Sequence, residues 1–311
     1  MKSAAILGLV LVLTLAGCSV ADDRRPAAAA PTSVPTLVSP LPAPTPGVTP
    51  TPGATPGCGD WPCDWAARFQ QVSARIARSP GQIGLVLRDR VTGATWQAGA
   101  ADQTSWTGST IKLAMAVYVL EQSRAGAVTL NPGDRDDIAD MLSVSDDEAA
   151  DRIWAGFGEH DMLPVFQGRY GMTGLAMEGE NDDWGALVCR PDDLANLMAY
   201  VLGALNAEDR AYVVDAMRHV AEIQHWGVWS VGPALEPGVK NGWLEDSYDD
   251  ESHWDTSTVG FVGAGQRYIL AIMYQMPTGE DSLERGVRTL SDLAAALFGQ
   301  ATPAPAVIRP S

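Results

Sequence analysis

Between Ser109 and Ser123 the chain predicts a helix that is apolar on nearly every face, carrying Ile111, Leu113, Ala114, Met115, Ala116, Val117, Val119 and Leu120. A helix without a polar side has to lie in the middle of a folded unit, so the rest of the chain must supply the elements that enclose it. Two polar residues stand at its start, Ser109 and Lys112, three apart and therefore on one face. A serine at a helix N-terminus meets unpaired backbone N–H groups and the positive end of the dipole, which help an alkoxide form and receive an oxyanion.

Lysine usage sharpens this reading. Beyond Lys2 the chain has only Lys112 and Lys240, and every other cation is arginine. Lysine loses its proton when desolvated or placed beside another cation, whereas a guanidinium stays charged. A neutral Lys112 would take the Ser109 proton and create a nucleophile. Lys240 opens the tripeptide Lys240-Asn241-Gly242.

The N-terminal region is not globular. Met1 and Lys2 precede an apolar run from Ala4 to Leu15, too short to span a bilayer as a mature helix, and Leu15-Ala16-Gly17-Cys18 then places small residues before a cysteine. The pattern resembles a bacterial lipoprotein signal over residues 1–17 with Cys18 as the lipidated residue; a cleaved secretory signal with an incidental cysteine is the alternative. Either takes the protein out of the cytoplasm, and the first anchors it on the outer side of the cytoplasmic membrane or in the cell envelope. Residues 18–57 form a tether: from Pro26 to Gly57 there is no charged residue, and ten of the 21 prolines lie there. The folded unit is expected over residues 58–299, followed by a disordered tail at 300–311.

Cys58 and Cys63 flank Trp61 and Pro62, and an oxidising compartment makes a disulfide between them plausible. Cys189 reads as a small buried hydrophobe. His160, His219, His225 and His253 follow no zinc spacing, so no metal is expected. A formal net charge of −17 argues against nucleic acid. No cofactor is implied, and a monomer is expected.

Apolar periodicity places a first helix through Trp65, Phe69, Val72 and Ile76, then a hairpin from Ile83 to Leu87 and Ala94 to Ala98. The central helix follows. Helical patterns continue over 136–143, 146–157, 162–170, 191–205 and 207–219. Strands return at 238–243, 258–262 and 268–274, and a last helix covers 281–298. This order implies an α+β fold: a five-stranded antiparallel sheet flanked by the N- and C-terminal helices, with an inserted all-helical subdomain.

Ser109-Thr110-Ile111-Lys112, the later Ser145-Asp146-Asp147 and Lys240-Asn241-Gly242 together resemble the motifs of the class A serine β-lactamases and related penicillin-binding proteins, in the same order and across nearly all of the folded unit. The resemblance implies Ser109 as the acylated nucleophile, Lys112 as its base or proton shuttle and Ser145 as a relay to the leaving nitrogen. It implies that Lys240 and Asn241 hold a substrate carboxylate, and that Ser109 N–H and Trp243 N–H, just after Gly242, form the oxyanion hole. Its ligands are a β-lactam or a peptidoglycan-derived peptide.

Three departures accompany the resemblance. Asp147 stands where the family has a donating asparagine, and an ionised carboxylate beside Lys112 favours the ammonium. Asn241 replaces a threonine or serine. The loop 177–188 has to supply the deacylating glutamate and offers Glu178 and Glu180, with Glu180-Asn181 the better placed. The alternative function is a non-catalytic envelope lipoprotein that keeps the fold and binds a wall component or a protein partner. Trp106, Trp184, Trp229, Trp243 and Trp254 are candidate walls for the cleft, although most would serve packing.

Overall fold

The computed structural model describes residues 60–179, 182–246, 253–277 and 282–308. The signal, the Cys18 anchor, the tether and Cys58 lie outside these residues. Cys63 is disulfide-bonded.

Helix α1 (Asp64–Ile76) leads into the hairpin β1 (Gln82–Asp89) and β2 (Thr95–Gly99), then a short strand β3 (Ser105–Trp106) and a single 3-10 turn over Gly108–Ile111. Six helices and two short strands follow: α2 (Lys112–Arg124), α3 (Pro132–Ser143), α4 (Asp147–Phe157), α5 (Leu163–Gly168), β4 (Ala176–Met177), β5 (Leu187–Cys189), α6 (Pro191–Gly203) and α7 (Ala207–Arg218). The chain then returns to the sheet with β6 (Gly238–Asp246), β7 (His253–Val262) and β8 (Tyr268–Gln275), and α8 (Ser282–Leu297) closes the fold.

The five long strands form one antiparallel sheet in the order β2-β1-β8-β7-β6. Strict alternation on β8 shows why the sheet is covered on both faces. Ile269, Ala271 and Met273 enter the core shared with α2 and α6, whereas Leu270, Ile272 and Tyr274 enter the core under α1 and α8. Helix α2 sits inside the first of these cores with eight residues buried from Lys112 to Leu120, as its all-round apolarity requires.

Four local features differ from the sequence expectation. The α-helix begins at Lys112, and Ser109 occupies the 3-10 turn before it; side chains at i and i+3 eclipse in such a turn, so the two residues still share a face. Strand β7 starts at His253, five residues before the expected Thr258, because Asp255, Thr256 and Ser257 are buried polar residues that break the apolar pattern. The inserted region also carries a three-stranded ribbon, β3-β5-β4, beside its helices. These strands are two or three residues long, too short for periodicity to register.

The fourth difference is the tail. Residues 300–308 pack on the domain rather than forming the expected disordered end. Thr302 Oγ1 accepts from Arg75, Ala304 N–H donates to Asp292, Pro305 O accepts from Ser230 Oγ, and Val307 N–H donates to His225 O, all within 3.0 Å. Ala306 and Ile308 add apolar contact to the core under α1 and α8. Ending the chain after Gln300 is therefore expected to lower the unfolding free energy by about 2–4 kcal/mol at roughly 1 kcal/mol per hydrogen bond. Urea titration of the two forms checks this, and coincident curves would mean that the segment contributes nothing.

Candidate active site

Ser109 is placed by a backbone contact between its turn and β6. Gly108 has a left-handed φ of +47°, and a Cβ on it would lie 2.8 Å from Trp243 N. Across the contact, a Cβ on Gly242 would lie 2.5 Å from Thr107 O and 2.7 Å from Thr110 N. Only glycine allows this approach from either side. Ser257 Oγ donates to Thr107 O at 2.7 Å, and Thr107 N–H donates to Leu187 O at 2.9 Å, which ties the same turn to β7 and to the ribbon.

Ser145 lies in the turn between α3 and α4 with a left-handed φ of 68°, rare for a residue with a Cβ. The Asp140 carbonyl holds this turn by accepting from the N–H groups of Val144, Ser145 and Asp146. Capping of α4 falls to Asp146, whose carboxylate accepts from Ala149 N–H at 2.7 Å, so the Ser145 hydroxyl is free for other work. It accepts from Lys240 Nζ at 2.8 Å, while the Ser145 carbonyl accepts from Lys112 Nζ at 2.7 Å. One residue thus bridges the two lysines, and both are wholly buried.

Burial pushes the Lys112 ammonium below its ordinary pKa, against an opposing pull from Asp147, which accepts a hydrogen bond from Nζ. Burial also holds Lys240 well below the ordinary lysine value; the neighbouring Lys112 charge adds to the effect and Asp147 opposes it. The expected pairing of Asp147 with Lys112 is therefore present, but desolvation outweighs it. The Asp147 side chain is 60% exposed, which weakens its field.

Lys240 and Gly242 lie on the face of β6 towards this cluster, and strand alternation sends their neighbours the other way. Asn241 is fully buried, and its amide donates to Gln224 O at 2.9 Å and Trp226 O at 3.3 Å. The expectation that Asn241 binds a substrate carboxylate is corrected: both amide hydrogens are spent on backbone carbonyls. The Trp243 side chain packs against Trp226 and the core under α8, so it is the backbone of Trp243 that lies at the Ser109 turn. Trp229 stacks on His225, and Trp254 joins the same core.

Trp184 is the aromatic residue that reaches the lysines. Its ring centroid lies 4.6 Å from Lys112 Nζ, and its indole N–H donates to Asp151 Oδ1 at 2.8 Å. Periodicity could not place Trp184, but Asp151 follows Asp147 by four on α4, a spacing that puts both carboxylates on one face. Glu178 is exposed on the loop, and Glu180 lies outside the described residues. Cys189 is buried and unbonded, and burial raises its thiol pKa well above the ordinary value, which suits a packing role. Among the described residues no cluster of His, Cys, Asp and Glu is arranged to hold a metal, and no helix is long and apolar enough to cross a membrane.

The model of the Beta-lactamase enzyme family matches residues 67–132, which include Ser109 and Lys112. A Mycobacterium tuberculosis protein provisionally named lipoprotein LppW is 27% identical over 236 residues, covering 72% of this chain and 74% of that one. Among solved structures, PBP-A superposes with a TM-score of 0.61 at 20% identity, covering 75% of this chain and 94% of PBP-A. A class A β-lactamase from Mycobacterium abscessus gives 0.60 at 13% identity, covering 74% and 98%. The fold is that of the β-lactamases and penicillin-interacting transpeptidases.

The depressed Lys240 pKa carries a pH signature. Between the folded pKa and the ordinary value of 10.5, the unfolded chain holds a proton that the folded one has released. Stability contributed by this residue therefore rises with pH across that window, and the ammonium buried at lower pH costs stability. The unfolding free energy of the wild type relative to Lys240→Met is expected to increase from neutral to alkaline pH in denaturant titrations. A flat difference would mean that the lysine titrates as it does in water.

Proposed function

We propose that this chain is an envelope-anchored serine hydrolase, lipidated at Cys18, that forms a Ser109 acyl-enzyme with a β-lactam or a related cell-wall peptide amide. The observation that carries the reading is the Ser145 bridge: two buried lysines with lowered pKa values meet one serine, Lys112 at its carbonyl and Lys240 at its hydroxyl, beside a turn that presents Ser109. Structural lysines are normally kept exposed and charged, so burying two in one cleft points to proton transfer.

In this mechanism Ser109 Oγ attacks the amide carbonyl and passes its proton to Lys112. The oxyanion is received by the N–H groups of Ser109 and Trp243, whose backbones the glycine contact holds together. The carbon–nitrogen bond then breaks, and the leaving nitrogen takes a proton from Ser145 Oγ, which is made good by the proton that Lys112 took from Ser109, while Lys240 orients the hydroxyl through its donated hydrogen bond. A substrate carboxylate is assigned to Lys240 alone, since the Asn241 amide is occupied. Glu180 remains the proposed deacylating base on the 177–188 loop.

The Asp147 contact favours a second reading, in which the lipoprotein binds a wall component without chemistry, because a paired Lys112 is a weaker base. Intact-protein mass spectrometry with a penicillin and a cephalosporin separates the two. A Ser109-dependent adduct, absent in Ser109→Ala, is expected; its absence with both drugs would move the assignment to the binding role.

Asp147→Asn removes an influence that raises the Lys112 pKa. The alkaline-rising limb of the acylation rate is then expected to shift to lower pH, with faster acylation at neutral pH. A limb that stays in place or moves to higher pH would end this account of Asp147.

A further inference from the structure

The acylation chemistry above has no use for Trp184, yet its ring centroid lies 4.6 Å from Lys112 Nζ. Lys112 Nζ is enclosed by the Ser145 carbonyl, the Asp147 carboxylate and the face of this indole. The ring is held in place through its N–H, which donates to Asp151 Oδ1 on α4. Trp184 also packs on the core that surrounds α2.

We propose that Trp184 is a positioning residue that keeps water from the acyl-enzyme, so that the acylated protein is long-lived. The inference rests on the Ser109 acyl-enzyme reading. Hydrolysis of the ester requires a water oxygen to attack the acyl carbonyl and give a proton to a base. The ester carbon–oxygen bond then breaks, and Ser109 Oγ recovers a proton. Besides the proposed Glu180, the other base at the site for that proton is Lys112, and the indole face lies 4.6 Å from its Nζ. An indole has no lone pair with which to orient water, and its one donor is committed to Asp151. The ring face over Nζ instead excludes solvent. The same exclusion contributes to the burial that lowers the Lys112 pKa and favours the acylation step.

One residue therefore acts on the two half-reactions with opposite sign. Removing the ring hydrates Lys112, which raises its pKa and slows acylation; it also admits water, which speeds hydrolysis. General damage to the site slows both steps. The test follows the mass of the adduct formed with a penicillin over time, in the full domain, for the wild type, Trp184→Ala, Trp184→Phe and Asp151→Ala. Trp184→Ala is expected to acylate more slowly and to lose its adduct about tenfold faster, a modest share of what a well-placed base contributes. Asp151→Ala, which frees the indole, is expected to shift both rates in the same directions by less. Trp184→Phe keeps a ring face and is expected to restore a lifetime near that of the wild type. Thermal melts identify any variant that fails to fold, in which case the Phe and Asp151 variants decide.

An adduct lifetime unchanged in Trp184→Ala and Asp151→Ala, or lengthened in both, would overturn the role of Trp184 while leaving the acyl-enzyme intact. Slowing of both steps would assign Trp184 to structure alone. A wild type that forms no Ser109-dependent adduct would remove the underlying reading, and this proposal with it.

Discussion

Two ammonium groups buried in one cleft are the constraint around which the site is built. Unpaired, each would cost several kcal/mol to desolvate, and their mutual repulsion adds to that cost. The fold answers with a single residue. Ser145 gives its carbonyl to Lys112 and its hydroxyl to Lys240, which it can do because its backbone is held left-handed by three N–H groups converging on the Asp140 carbonyl. Asp147 supplies the nearest negative charge but stands largely in solvent, so it moderates the field without abolishing it. Both lysines are thereby held below their ordinary pKa, a condition that serves proton transfer better than a fully neutralised pair would.

The second device is the absence of side chains. Gly108 and Gly242 face each other across the seam between the Ser109 turn and the edge strand of the sheet, and each leaves room for the other's backbone. The sheet can therefore fix Ser109, the proposed nucleophile, although its turn is not part of the sheet. Because β6 alternates, its even residues face the cluster, while Val239, Asn241 and Trp243 support the opposite core or the segment around Gln224.

This alternation explains what the sequence did and did not disclose. Ser109, Lys112, Ser145 and Lys240 could be picked out as candidates because hydroxyl and amine at short fixed spacings are uncommon, and because beyond Lys2 every other cation is arginine. The fold class was legible from the order of helical and strand patterns. The roles of Asn241 and the Trp243 side chain were not, since a motif names neighbours on a strand without saying that successive residues point to opposite faces. Trp184 was one of five tryptophans named as candidate walls, of which a motif placed only Trp243, and its contact with Lys112 depends on a loop whose path no periodicity encodes. The tail at 300–308 was misread because its composition is that of a disordered end, whereas its backbone groups find partners on helices and loops far away in sequence.

The strand order has a consequence for the sequence of events in which the site comes into being. Strand β1 lies beside β8, with Gln82 opposite Gln275, so the N-terminal hairpin cannot enter the sheet until most of the domain has been synthesised. The central helical block, whose contacts are local, is free to assemble first. Lys112 and Ser145 would then meet early, while Lys240 arrives with the last three strands. On that order the second buried charge is inserted into a cavity already formed, and the costliest electrostatic step of folding coincides with the closing of the sheet.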